Sequence, residues 1–325
     1  MDKVISFGEA LVDMLSTKIG NNNSDSPEAF IKFPGGAPAN VAAAIGKLGG
    51  RSYFAGKIGQ DMFGDFMHES LEQAQVRTDY ILQTDQAKTA LAFVSLDDEG
   101  ERSFEFYRSP SADLLFTAED FKAEWFTESG IFHYCSNTLT EVNIENATIA
   151  GIERAKAAGF TISFDVNLRV NLWPTGRDPF ELIWQCIKQS DIIKVCVEEL
   201  DFLCREQTRE QVLKEMLAAG VALILVTDGG NSLNYYTQSA NGKITPPKVK
   251  MVDSTAAGDA FMGGFLYALA EHNVSEKGLT AVAADIAVLE TMLNFGCSCG
   301  AYAVTHQGAF TSLATQADLL ALKAS

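Results

Sequence analysis

The chain has 325 residues, enough for one large α/β domain with an appendage or for two medium domains. Apolar residues make up 47% of it, which excludes a mainly disordered polymer. A formal net charge of −17, from 25 basic and 42 acidic side chains, argues against nucleic acid or anionic membrane as a partner. Any anionic substrate would need its own pocket of positive potential.

The six cysteines (Cys135, Cys186, Cys196, Cys204, Cys297 and Cys299) form no CxxC pair, and His68, His133, His272 and His306 are scattered away from them. That spacing speaks against a zinc site or a disulfide framework, and for reduced thiols. The N-terminus enters a strand-like VISFGE with no signal-peptide pattern. No apolar run approaches the roughly 18 residues that span a bilayer. A soluble, cytoplasmic protein is the expectation.

In chain order, residues 4–8 read as a short buried strand, and a polar, turn-rich stretch occupies 20–27. FIKFPGGAPAN then leads into a helix whose Val41, Ala44, Ile45 and Leu48 fall at i, i+3, i+4 and i+7. Gly49 sits where a C-terminal cap belongs, and Pro38 suits the first turn, where its missing N–H costs nothing. Residues 52–58 form the next strand, and a helix around Phe63, Phe66, Met67 and Leu71 follows.

Residues 88–108 break the pattern. Residues 88–96 are strand-like, DDEGE is a turn, and 102–108 alternates with Phe104 and Phe106 on one face. An antiparallel hairpin inside a βα-alternating chain implies a small sheet set apart from the main domain. From residue 130 the alternation resumes, with strands at 130–136, 160–166, 191–196 and 221–227. Helical patterns lie near 144–158, 180–190 and 209–219, and long helices at about 258–271 and 279–295. Buried strands alternating with amphipathic helices predict an α/β fold with a doubly wound, mostly parallel sheet.

Ligands of such sheets bind beyond the carboxyl ends of the strands. The strongest polar motif in that position is DSTAAGDAFMGGFL, residues 253–266. Its small residues lead directly into a helix, whose start exposes unpaired N–H groups and a partial positive charge. The short side chains of Ala256, Ala257 and Gly258 let a phosphate approach those amides. Asp259, in the first turn, could take a proton from a hydroxyl attacking a γ-phosphate. Taken alone, Asp259 reads equally as a complement to the helix dipole. A second motif, FPGGAPANVA, offers Gly35 and Gly36 for close backbone approach and Asn40 for hydrogen bonds to hydroxyls. Alone, its Gly-Gly reads as a turn.

GGAPANVAAAIGKLGG and DSTAAGDAFMGGFL together resemble the two signature segments of the ribokinase-like (PfkB-type) carbohydrate kinases. The GGAPAN form and FDVNLR resemble the fructokinase branch in particular, and the similarity runs in order over almost the whole chain. The resemblance implies a large doubly wound domain (1–12, 36–87 and 109–325) and a β-sheet lid (13–35 and 88–108). It implies Asp259 as base, with the amides from Ala256 to Asp259 as anion hole, although the family often has Gly where Ala256 stands. Asp13, Gly35, Gly36 and Asn40 match its sugar contacts.

Asp165, Asn167 and Arg169 resemble the family's DxNxR segment near the phosphates, where Arg169 supplies fixed positive charge; by itself it reads also as a surface salt bridge. Lys194 is a candidate phosphate contact. Glu199 matches a glutamate linked to Mg²⁺ through water, and Thr227 and Gly229 match the nucleotide loop. Asp253, Thr255, Ala303, His306, Gly308 and Ser312 occupy the alkali-metal loop, mostly as carbonyl donors that suit K⁺. Three departures touch the nucleotide side: Cys196 stands where Asn is usual, Ser232 replaces a Gly, and Cys297 replaces an Asn of the adenine pocket.

The cofactors implied are ATP and Mg²⁺, with K⁺ as activator, and the resemblance implies a homodimer through the lid. No GxxxxGK[ST] loop and no strand-borne GxGxxG are present, against a P-loop NTPase or a dinucleotide-dependent dehydrogenase. The rival from another class is a sugar or nucleotide sensor that has lost turnover, against which an intact Asp259 argues. Fructose ranks first as substrate. A 2-keto-3-deoxygluconate-like acid and a riboside such as aminoimidazole riboside come behind it. Arg108 could serve a neutral sugar, engage a substrate carboxylate, or face solvent.

Overall fold

The structure is a computed structural model that describes residues 1–19, 27–96 and 102–324. The expected DDEGE turn, most of the turn at 20–27 and the side chain of Phe104 lie outside the described residues. In chain order the strands are β1 (Lys3–Phe7), β2 (Leu11–Ile19), β3 (Phe30–Gly35), β4 (Arg51–Gly59), β5 (Ile81–Thr84), β6 (Ala90–Leu96) and β7 (Arg102–Tyr107). They continue with β8 (Gly130–Cys135), β9 (Thr161–Asp165), β10 (Ile192–Cys196), β11 (Leu223–Asp228), β12 (Ser232–Thr237) and β13 (Asn241–Ile244). The α-helices up to the middle of the chain are α1 (Ala37–Lys47), α2 (Met62–Gln73), α3 (Val142–Ala157), α4 (Pro179–Ile187), α5 (Val197–Cys204) and α6 (Arg209–Ala218). After them come α7 (Ala257–Glu271), α8 (Val274–Lys277), α9 (Leu279–Ala284), α10 (Ile286–Ala303) and α11 (Gln316–Ala324).

The main sheet has the order β13-β12-β11-β10-β9-β8-β1-β4-β5 and is parallel except where β12 and β13 join its edge. Its central strands are buried along their whole length, as β1, β8 and β9 show. A sheet covered on both faces needs that pattern. Successive residues therefore serve opposite layers. Ile192 belongs to a core with Phe265, Leu266 and Leu293, and Ile193 to one with Phe132, Phe164 and Ile183. A second sheet, ordered β3-β2-β6-β7, stands apart; its β2 and β6 are parallel and its other pairs antiparallel.

Several features depart from the sequence expectation, among them the short helices α5, α8 and α11. The helix expected at 279–295 is broken. Asp285 ends α9 and its carboxylate accepts the amide of Val288, so α10 starts afresh and runs on to Ala303. β5, β12 and β13 were not expected at all; they are four to six residues long, and the last two carry a mixed polar pattern.

The second half of the long motif is packing rather than chemistry. A Cβ on Gly263 would lie 2.4 Å from that of Ala44, and one on Gly264 2.5 Å from Cys299 Sγ. Only glycines let α7 wedge between α1 and α10 at that spacing. The wedge fixes where α7 begins.

Candidate active site

The start of α7 lies at the carboxyl edge of the main sheet, where two cavities meet. The first, of about 690 Å³, opens between the two sheets and is lined by Asp13, Gly36, Asn40, Arg108, Arg169 and Asp259, among others. The second, of about 540 Å³, is lined by Thr227, Gly229, Ser232, Ala257, Gly258 and Cys297, and by residues of the 246–251 strap. Met251 and Ser254 border both. The turn leading into α7 is thus shared by both cavities.

Ala256 caps α7 in the left-handed conformation, φ 57° and ψ 13°, and no side chain satisfies the helix's first amides. That backbone shape is one a glycine adopts freely, which gives the alanine here its cost of about 1–2 kcal/mol. The Ala257 amide makes only a long contact with the Ser254 carbonyl, 3.3 Å, so this turn can present its amides to an anion. Asp259 is buried, and its Oδ2 accepts a hydrogen bond from Asn40 Nδ2 at 2.7 Å. Burial raises its pKa, against the opposing pull of Asn40, Lys194 and Arg169.

Gly35 and Gly36 hold the acceptor side in place. A Cβ on Gly35 would come 2.4 Å from Asp13 Oδ2, and one on Gly36, at φ +100°, would come 2.5 Å from the Glu9 carbonyl. β2 pairs with β3 so that Leu11 faces Gly35, which brings the Asp13 carboxylate to the mouth of α1.

Lys194 lines neither cavity surface but lies beneath them. Its Nζ is 3.0 Å from Asp165 Oδ1, and a Cβ on Gly258 would be 3.3 Å away from it. Burial lowers its pKa, but the carboxylates of Asp165, Glu199 and Asp259 outweigh that and raise it. A permanent cation therefore sits directly behind the helix start. Arg169 is exposed at the rim.

Glu199 is buried in the first turn of α5, where Oε1 accepts from the Leu168 amide and Oε2 from the Cys196 amide, both at 2.8 Å. It ties α5 to the segment that carries Arg169. Asp253 plays a comparable part, accepting from the amides of Thr255 and Gly308. With Val252 and Asp253 both donating to the Val304 carbonyl, it clamps the 252–255 segment to the turn after α10. In that turn the His306 amide donates to the Ala303 carbonyl, and Gly308 and Ser312 follow it along the chain. Among the described residues no three His, Cys, Asp or Glu side chains group as metal ligands.

Arg108 does not face solvent. It is buried, with Nε 2.7 Å from Asp113 Oδ2 and further bonds to the Asn137 carbonyl and Thr140 Oγ1. Glu9, not among the expected site residues, is 2% exposed, lines the first cavity and accepts from Asn137 Nδ2 at 2.9 Å. Asn137 and Gln307 line it too and were likewise not expected. Glu9 stands two residues past β1, so the strand-end rule would have found it.

An open parallel sheet with a bare helix start at its carboxyl edge, shared by a polar cavity and a second one beside it, defines a nucleotide-dependent phosphotransferase acting on a small hydroxyl compound. The comparisons carry this further. The model of the pfkB family carbohydrate kinases matches residues 1–316, and the chain belongs to that family.

Probable fructokinase-5 of Arabidopsis thaliana is 39% identical over 316 residues, which cover 97% of this chain and 95% of that protein. The structure of a Xylella fastidiosa fructokinase with bound ATP superposes with a TM-score of 0.93 at 43% identity, covering 99% of this chain and 98% of that one. A double mutant of Vibrio cholerae O395 fructokinase, in a form with fructose, ADP and potassium bound, gives 0.86 at 33%, covering 99% and 98%. The ribokinase-like fold expected from the sequence is thereby shown. Among the described residues no helix is long and apolar enough to cross a membrane.

Proposed function

We propose that this chain is an ATP-dependent fructokinase, moving the γ-phosphoryl group of ATP to a primary hydroxyl of fructose. The observation that carries it is Asp259: a buried carboxylate, held by Asn40, lining the first cavity next to Gly258, which lines the second. The 39–43% identity to named fructokinases over nearly the whole chain supports the choice of acceptor. Fructose would occupy the first cavity, between Asp13, Asn40 and the Gly35–Gly36 turn. ATP would occupy the second, against Thr227, Gly229 and Cys297.

Asp259 accepts the hydroxyl proton as oxygen attacks phosphorus, and its raised pKa makes it a better base than an exposed aspartate. The amides of Ala257, Gly258 and Asp259 hold the charge that grows on the transferring group, with Lys194 and Arg169 behind and beside them. Closure of the small sheet over the sugar would exclude water and limit hydrolysis of ATP.

Magnesium, when bound with ATP, would neutralise phosphate charge. Glu199 suits contact with it through water, since both carboxylate oxygens already hold backbone amides. A potassium ion would suit the carbonyl-rich turn that Asp253 clamps to residues 303–312, a set of hard oxygen donors. The compartment that matches ATP and six free cysteines is the cytoplasm. Exposed Phe30, Ile31 and Tyr107 on the small sheet would support pairing of two copies through it.

Release of ADP across a panel of sugars, with and without K⁺, tests the whole reading. Fructose should give the highest kcat/KM. Saturable sugar binding without any turnover would instead identify a sensor.

A further inference from the structure

The second cavity poses an electrostatic problem. ATP and ADP are polyanions, and the chain carries a formal net charge of −17, so the field of the whole surface opposes their entry. Lys194 lies beneath the start of α7, but its Nζ is 3.0 Å from Asp165 Oδ1 and that ion pair is buried. Arg108 and Arg169 line the first cavity, and Arg108 is held by Asp113. Among the described residues that line the second cavity, one carries a charge: Lys248, in the 246–251 strap.

The strap holds this lysine against the cavity. It starts just past β13, where Pro246 and Pro247 fix their φ angles and stiffen the chain. At its far end, Val252 and Asp253 donate their amides to the Val304 carbonyl at 2.7 and 3.2 Å. Between these anchors Val249 is half-buried and lines the cavity beside Lys248, whereas Lys250 is exposed and does not line it. Met251, further along, borders both cavities, so the strap leads toward the start of α7. Lys248 is itself exposed and, among the described residues, forms no ion pair. Its ammonium is uncommitted, on a long stem that covers apolar wall and leaves the charge free to meet an anion.

We propose that Lys248 is a nucleotide-binding residue of this chain, its ammonium pairing with the α- or β-phosphate that ATP and ADP share. The γ-phosphate belongs at the amides of α7, and the strap reaches that point only at Met251, beyond Lys248. A lysine acts as a point charge on a flexible stem, which suits phosphates approached from an exposed segment. This rests on the reading of the second cavity as the nucleotide site.

The test measures KM for ATP and kcat with fructose, and Kd for ADP by titration calorimetry, in the wild type, Lys248→Met, Lys248→Arg and Lys250→Met. Lys248→Met keeps the apolar stem and removes the charge. It should raise KM for ATP and Kd for ADP by about tenfold, the scale of one charge-assisted bond partly screened by water, with kcat moving less than about threefold. Lys248→Arg keeps the charge and should stay within about threefold of the wild type. Lys250→Met removes the same charge from the same strap, away from the cavity, and should also stay within about threefold.

A Kd for ADP changed less than about threefold in Lys248→Met overturns the proposal. An equal loss in Lys250→Met overturns it too, because the effect would then belong to net charge. So does a Lys248→Arg as weak as Lys248→Met, which would trace the effect to the shape of the strap. Failure of the nucleotide reading looks different: the wild type itself would bind neither ATP nor ADP, and both ideas would fall. A wild type that binds ADP but prefers another sugar removes fructose and keeps the role of Lys248, since the ADP titration needs no acceptor.

Discussion

The two cavities that meet at the start of α7 are built in opposite ways. On the acceptor side, charged and amide side chains are buried and locked to one another, as in Asn40 with Asp259, Glu9 with Asn137 and Arg108 with Asp113. On the other side, the lining is mostly glycine, alanine, proline and apolar side chains, with Cys297 among them, and its polar groups are Thr227, Asn231, Ser232, Lys248 and Ser254. The first surface recognises its ligand by directed hydrogen bonds. The second offers backbone and shape, the means by which a flat base and a phosphate chain are held. The contrast explains why Ser232 and Cys297 can replace the residues expected at their positions. A shape-built wall tolerates exchange of one small side chain for another, whereas each member of a buried polar pair depends on its partner.

Substitutions should separate the two sides. The largest effect belongs to Asp259→Asn, which should cut kcat by on the order of 10²–10⁴ while fructose affinity stays near normal. Single-turnover kinetics and calorimetry read the two quantities, and near-normal turnover would remove Asp259 from the role of base. In Arg108→Ala, Asp113 and Glu9 are left buried without their cation. Urea unfolding should report a loss of about 3–5 kcal/mol, the usual result of breaking a buried pair. A loss under about 1 kcal/mol would mean the cluster is hydrated.

Gly35→Ala should act through the acceptor alone. The added methyl collides with the Asp13 carboxylate, so KM for fructose should rise on the order of tenfold and KM for ATP stay put. An equal change in both constants would deny that the two cavities recognise separate substrates. Cys297→Ala should matter least, with KM for ATP shifting less than about threefold, because it trims a small side chain from a wall of similar groups. A rise above tenfold would show that the thiol itself contacts the nucleotide and would blur the distinction between the two sides.

The sequence by itself determined the alternation of buried strands and amphipathic helices, because periodicity follows from which faces must leave water. It also marked the bare helix start at 256–259, since a run of small residues before a helix can be read without knowing its neighbours. The break at Asp285 escaped because a single capping carboxylate inside a helical pattern gives no periodic signal. The edge strands β5, β12 and β13 escaped because they are short and, on β12 and β13, of mixed polarity.

Only the tertiary structure decided how the polar residues pair. Asn40 and Asp259 are 219 positions apart, and Glu9 and Asn137 are 128 apart. Nothing local in either segment encodes such a contact. Whether Arg108 is a free cation or a neutralised one depends on Asp113, Asn137 and Thr140, brought to it by the turn after β7 and the segment after β8. Residue type and spacing supply the candidates; burial and the partner across the fold set their charge and therefore what they can recognise.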